Sequence, residues 1–432
     1  MRIAYFTPVS PQKTGIADYS EREVLPYLSK YCDVDVFIDN NVRPNDKYLV
    51  DNFHIYNYKE YEELKGKYDI ALYQIGNNNL HEFIYKSLIR NPGIAVLHDI
   101  YIHGLIFSMS REKGNRERYI EEFSYCHGSI GEDIAKRAMA AGAYPEFEYT
   151  LIKRIIDRSI GIICHSDFGV RKVLEYRTNP VVTKLNQPFT APCMIKKLED
   201  KDLEELKSKL GLENRCPIIT SFGFISGHKR YAVLLNAFKK FLKEYPRSAL
   251  LLVGGGYTQI DRLISDLDLK QYVVKTGYIA HGMVTDYLSI SDFCVNLRYP
   301  TAGETSRSVL QIMATGKPVI VSNVGWFCEL PNTTCLKVDV DSYEEDTLLE
   351  CMNVLASDKR LAKAMGRNAQ RYILEEHNPE KIAREQYKFI SSILDGSEFV
   401  LKSISEELAN LGIVECDTEL ILGISKKVHD IV

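Results

Sequence analysis

The stretch Asn296–Ile320, NLRYPTAGETSRSVLQIMATGKPVI, holds the richest set of reactive and polar side chains in the sequence. It reads as strand, loop, helix from about Thr305, a tight Gly316 turn, and strand. Glu304 and Gln311 are seven residues apart, two helical turns, so both can face one side near the helix start. Gly303 and the N–H groups of Thr305, Ser306 and Arg307 make a candidate anion nest. A carboxylate beside such a nest would repel bare phosphate. The combination suits a ligand with a charged part and hydroxyls, such as a nucleotide sugar. The plainer alternative is that Glu304 only caps the helix.

Other polar clusters follow apolar runs. Gly223–Arg230, GFISGHKR, comes after Ile218–Phe222 and opens a helical segment. Glycines with Lys229 and Arg230 at a helix start suit a diphosphate, although the GxxxxGK[ST] loop is absent. Gly254-Gly255-Gly256 follows Ala249–Val253 without the GxGxxG spacing, which favours a plain tight turn. In the first half, Gly15 and Ile16 begin a helical stretch where N–H groups can meet an anion. Gly76, Asn77, Asn78 and Asn79 form a turn whose amides suit sugar hydroxyls, with His81 beyond. His98 and Asp99 follow another apolar run, with His103 nearby. His98 stands where an active-site residue would, and Asp99 and His103 are candidates to orient it or line its pocket. Five-residue spacing is poor for two metal-binding histidines on one helix face. Cys126-His127 and Cys164-His165 each lack a spaced second pair, so no metal site is expected.

These residues are positioned by alternating strands and helices. Arg2–Thr7, Val34–Ile38, Ile70–Gln74, Ile94–His98 and Gly161–His165 are short apolar runs, with Val181–Lys184 closing the first set. Ile218–Phe222, Ala249–Val253, Tyr272–Thr276, Phe293–Asn296 and Pro318–Ser322 form a second set. Runs of this length fit strands covered on both faces. Helical segments start near Lys229, Tyr257, His281 and Thr305, and the chain reads helical from Asp341. The expected fold is α/β: two Rossmann-like, doubly wound parallel-sheet domains facing a cleft, with a helical C-terminal tail. The expected limits are 1–190, 191–395 and 396–432. The charged KKLEDKDLEELKSK stretch, Lys196–Lys209, reads as a solvated helix or linker.

Composition bounds the partners. The chain has 432 residues, 45% apolar and 26% charged, with net charge −4. That fits a globular protein and excludes one that coats nucleic acid by bulk charge. No apolar run approaches the roughly 18 residues of a membrane span, and the first residues turn polar too early for a signal peptide. A cytoplasmic location is expected. The ten cysteines contain no CxxC pair and read as reduced thiols. Basic stretches at Arg111–Arg118 and Arg154–Arg158 are candidates for peripheral membrane contact, with a solvated face as the commoner reading.

Taken together, Arg298–Ser306, Met313–Ile320, Gly15–Ser20, Tyr73–Asn77, Leu97–Asp99, Lys229-Arg230, Leu252–Gly256 and Thr276–Tyr278 resemble the family 4 glycosyltransferases of the GT-B fold. The resemblance covers roughly residues 1–395, and the Gly-Asn, Leu-His-Asp and Gly-Glu-Thr-Ser segments are similar to a branch that builds surface polysaccharides, including O-antigen and mannosyltransferase-like members. It implies a retaining, metal-independent hexosyltransferase with no cofactor. The donor would be a GDP-sugar such as GDP-mannose or a UDP-hexose, bound by the second domain. A glycan or lipid-linked acceptor would meet the first domain at Gly76, Asn77, Asp99 and His103. Catalytic roles fall on His98 beside the sugar, Lys229 on the diphosphate and Glu304 on the sugar hydroxyls. Donor contacts fall on Gly15, Ile16, Gly223, Lys229, Arg230, Gly255, Tyr278, Ile279, Gly303, Thr305, Ser306 and Gln311. Two departures stand out. Gln311 replaces the second glutamate of the family's Glu-x7-Glu motif, whose first position holds Gly303 with Glu304 one later. Phe224 stands where the family often has an arginine, so Arg230 or Arg298 is expected to supply that charge. The alternatives are a noncatalytic partner subunit of a glycosyltransferase complex and a dinucleotide-dependent oxidoreductase.

Overall fold

Continuous apolar runs, rather than alternating ones, form the strands, because both faces of each sheet are covered by helices. The computed structural model describes residues 1–111, 116–177, 181–190, 199–256 and 259–396. The first sheet contains β1 (Arg2–Phe6), β2 (Asp33–Ile38), β3 (Ile55–Asn57), β4 (Ile70–Ile75), β5 (Gly93–Leu97), β6 (Ser159–Cys164) and β7 (Val182–Lys184). All pairs are parallel, in the order β3-β2-β1-β4-β5-β6-β7. Tyr5 of β1 lies level with Val36 on one side and Leu72 on the other. The second sheet contains β8 (Ile218–Phe222), β9 (Ala249–Val253), β10 (Val273–Gly277), β11 (Phe293–Asn296), β12 (Val319–Ser322) and β13 (Cys335–Val338). Its parallel order is β10-β9-β8-β11-β12-β13.

Each sheet therefore starts in its middle and grows toward both edges. The connections diverge at β1/β4 and at β8/β11, which opens a crevice beyond the carboxyl ends of those strands. Both expected Rossmann-like sheets are present. The apolar runs miss β3, an edge strand of three half-buried residues, and β13, which carries Lys337.

The chain divides into two compact units. One comprises residues 1–165, 169–185 and the helix from Glu380, and the other comprises 166–168 and 186–379. The final helix, Pro379–Asp395, was expected in the second unit by its place along the chain. Instead Ile382, Ala383 and Ile390 are buried with Ile3, Val34, Ile94 and Ile163 of the first sheet. Its apolar stripe needs a partner, and that sheet supplies one. The expected helical tail lies outside the described residues, apart from Gly396.

Candidate functional site

In the second unit, two loops leave the switch point. After β8 the chain turns at Gly223, with φ +119°. Gly254, after β9, has φ +137°, and a Cβ there would strike the Gly223 carbonyl oxygen. The Gly223 N–H donates to Val253 at 2.9 Å, and the Ile225 N–H donates to Gly255 at 2.9 Å. The glycine run thus serves close loop-to-loop approach. Beyond it, Gly227–Lys229 makes a single 3-10 turn and Tyr231–Phe241 a helix. Lys229 is only 6% exposed and folds back over Gly223, its Nζ donating to the Phe222 carbonyl at 3.1 Å. Asn296 Nδ2 reaches the same carbonyl at 3.0 Å and Ser308 Oγ at 3.1 Å.

The loop after β11 supplies the facing wall. Arg298 is anchored by its main-chain N–H to Ser322 Oγ at 2.9 Å. Its Nη1 lies 3.1 Å from Glu304 Oε1, and Thr301 Oγ1 donates to Glu304 Oε2 at 2.8 Å. Ser306 caps the helix Arg307–Ala314 by accepting from the Val309 N–H. Gly223, His228, Lys229, Arg298, Glu304, Thr305 and Ser306 line one pocket of about 280 Å³.

The electrostatics favour an anion. Burial, reinforced by the Arg298 charge and opposed by Glu304, pulls the Lys229 ammonium down to about 7. Burial and then Arg298 push His228 down to about 4. A guest bringing negative charge would favour the protonated lysine.

Several expected contacts sit elsewhere. The helix begins at Arg307, so Glu304 lies in the loop and does not share a helix face with Gln311. Gln311 is 4% exposed, its Nε2 lacks a hydrogen-bond partner among the described residues, and it does not line this pocket. The Gly303 N–H donates to Thr301 Oγ1 at 3.1 Å, so that amide already has an acceptor. Arg230 does not line the pocket: its guanidinium grips the buried Glu344 through two nitrogens. Tyr278 is 83% exposed beside Gly255, while Ile279 packs at the edge of the core.

In the first unit, the strand ends gather a buried polar cluster. Thr14 caps the helix that Gly15 opens, and Ile16 packs against Gly76, where a Cβ would collide with it. His98 Nε2 is 2.8 Å from Gln74 Oε1, and its ring sits 4.5 Å from Tyr19 and 4.9 Å from His165. Asp99 accepts from the Asn77 N–H at 2.8 Å, and Asn77 Oδ1 accepts from the Leu105 N–H. Asp99 thus holds the Gly-Asn loop, and Gln74 orients His98. His103 is bonded to Tyr119 at 2.8 Å inside an aromatic cluster and is pushed down to about 4 by burial. Its ring is placed among core rings. Gln74 and His165 were missed, although each is a polar residue ending or following an apolar run, the signal that singled out His98. Among the described residues, no group of three or more His, Cys, Asp or Glu could hold a metal ion, and no helix is long and apolar enough to cross a membrane.

Comparison with known proteins agrees with the fold. Residues 202–372 match the family model described as glycosyl transferases group 1. Alpha-monoglucosyldiacylglycerol synthase of Streptococcus pneumoniae is 28% identical over 185 residues, 41% of this chain and 40% of that protein. GDP-mannose-dependent alpha-(1-6)-phosphatidylinositol monomannoside mannosyltransferase of Mycolicibacterium smegmatis is 26% identical over 39% of this chain and 46% of that protein. The alignments thus span less than half the length of these relatives. Crystal structures of Anabaena HepE in complex with UDP and of a Rickettsia africae glycosyltransferase each superpose with a TM-score of 0.63 at 16% identity. They cover 91% of this chain and 100% and 98% of theirs. Residues 202–372 are thus similar to the group 1 glycosyl transferases, and the two Rossmann-like sheets share the GT-B fold of these solved structures.

Proposed function

We propose that this protein is a retaining, metal-independent hexosyltransferase. It moves a sugar from a UDP-hexose or GDP-mannose to a glycan or lipid-linked acceptor in polysaccharide synthesis. The observation that carries this reading is the pocket at the second switch point, where Lys229, Arg298 and Glu304 meet a helix N-terminus. UDP as donor nucleotide is supported by the HepE complex, and a lipid-linked acceptor by relatives named for glucosyldiacylglycerol and phosphatidylinositol monomannoside.

In this mechanism the bond from the donor's anomeric carbon to the diphosphate breaks, and the diphosphate oxygen gains negative charge. Lys229 and the N–H groups at Ser306 and Arg307 stabilise that charge electrostatically. Glu304 accepts hydroxyls of the sugar, whose carbon becomes oxocarbenium-like. The acceptor hydroxyl attacks from the face the diphosphate leaves, and its proton passes to the departing diphosphate. His98 is assigned the sugar contact that its position at the end of β5 suggests.

A screen of UDP-, GDP- and ADP-sugars, with product anomers read by NMR, tests the reading. Lys229→Ala and Glu304→Ala should each lower turnover by about a hundredfold or more, as for loss of one transition-state donor. Normal turnover in either variant, inverted product or loss of activity with EDTA would overturn the corresponding part.

A further inference from the structure

The pocket of the second unit is lined by Lys229, Arg298 and Arg307 and by one carboxylate, Glu304, which is engaged from within. One Glu304 oxygen meets Arg298 at 3.1 Å and the other accepts from Thr301 at 2.8 Å. Each oxygen of the pocket carboxylate thus has a donor from within the loop. The Arg298 side chain is 12% exposed, and its Nε has no hydrogen-bond partner among the described residues. A guanidinium offers five N–H donors and prefers to grip phosphate with two of them at once. The Arg298 backbone is fixed by Ser322, so only the side chain must turn. Arg298 is also close enough to bear on the charge of both Lys229 and His228, which puts it within the same electrostatic field as the candidate phosphate lysine.

We infer that the Arg298–Glu304 pair is exchanged on donor binding: a nucleoside diphosphate takes Arg298 from Glu304, and the released carboxylate accepts the donor's sugar hydroxyls. This rests on the nucleotide-sugar reading above and names the second phosphate cation as Arg298, because Arg230 is held by Glu344 and the Arg307 guanidinium lies over the Phe189 ring at 5.5 Å. It resolves the oddity of a carboxylate beside an anion site. Before binding, Glu304 neutralises an arginine. Afterwards it faces hydroxyls, and Lys229 stays to balance the phosphate. It also couples the two ends of the donor, since seating the diphosphate frees the carboxylate oxygen that Arg298 holds.

Calorimetric titration of the full-length protein with UDP, GDP and ADP, and with the matching nucleotide sugars, tests the exchange. Arg298→Ala should weaken the bound diphosphate by about tenfold or more, the usual scale for a hydrogen bond to a charged group. Glu304→Gln should tighten the same diphosphate several-fold, because its competitor for Arg298 is gone, yet fail to tighten the nucleotide sugar equally. In an Arg298→Ala background, Glu304→Gln should have no further effect on the diphosphate, the signature of coupled residues. If Arg298→Ala unfolds, as judged by circular dichroism, Arg298→Lys keeps the charge, loses the two-pronged grip and completes the same cycle. Unchanged or weaker diphosphate binding by Glu304→Gln overturns the exchange, as does a gain that persists without Arg298. If the wild-type chain binds no nucleoside diphosphate, or Lys229→Ala does not weaken binding, the nucleotide-sugar reading itself fails.

Discussion

Lys229 shows how much one side chain's surroundings add to its identity. In the sequence it is a base near a helix start. In the fold its ammonium is buried against the Phe222 carbonyl and shares a pocket with Arg298, which together lower it from 10.5 to about 7. Between these values the unfolded chain keeps a proton that the folded chain has lost. Stability of the unliganded protein therefore rises with pH across that window. Urea unfolding of wild type and Lys229→Met at pH 7.5 and 9.5 should show that rise in the wild type and a flatter response in the variant. Equal slopes would place Lys229 in a wetter environment than the one described. Lys229, Glu304 and His98 were legible as candidates from residue type and position after an apolar run. The pairing of Arg230 with Glu344, 114 residues away, was not, because no local pattern encodes it.

At the scale of elements, the site is built by loops held close to one another. Gly254 is the clearest case: its φ of +137° disfavours any side chain, and a Cβ would meet the Gly223 carbonyl oxygen. Gly254→Ala should therefore push the β8 and β9 loops apart. It should cost roughly 1–3 kcal/mol from the backbone strain alone, measurable as a lower urea midpoint. It should also weaken nucleotide binding, since Lys229 packs over Gly223. A variant with wild-type midpoint and binding would show that the loops do not need this approach. The apolar runs and turn glycines made most of the strands readable. The helix start at Arg307 was misplaced by two residues because Ser306 takes the capping position and leaves Glu304 in the loop. β3 escaped because a short, half-buried edge strand carries no long apolar run.

For the whole molecule, buried histidines set the response to acid. His81 and His165 are buried, each donating from Nδ1 to a backbone carbonyl, and burial lowers both to about 4. The unfolded chain takes up protons near 6.5, while these histidines stay neutral in the fold. Stability is thus present above pH 6.5 and is lost as pH falls toward 4. Each contributes at most roughly 3 kcal/mol to that loss. Urea unfolding between pH 7 and 4 should show a steep decline for wild type and a shallower one for His81→Gln. An unchanged slope would mean that His81 is already charged in the fold. The assignment of the last helix to the first unit belongs to this scale too. Sequence order put it in the second, but Ile390 is buried only because the first sheet offers it an apolar face.

By itself the sequence determined two parallel α/β sheets, the strand ends where chemistry collects, and the family resemblance carried by Gly303–Ser306 and Lys229. Those features are local: apolar run length, turn chemistry and spacing are written in neighbouring residues. Tertiary structure alone decided which charges meet. Strand order set β8 beside β11, which brought Lys229 to Arg298 and Glu304 and left Arg230 to Glu344. The Arg230–Glu344 pair and the approach of Lys229 to Arg298 depend on distances between chain segments dozens of residues apart, and those distances exist only once the sheet has formed.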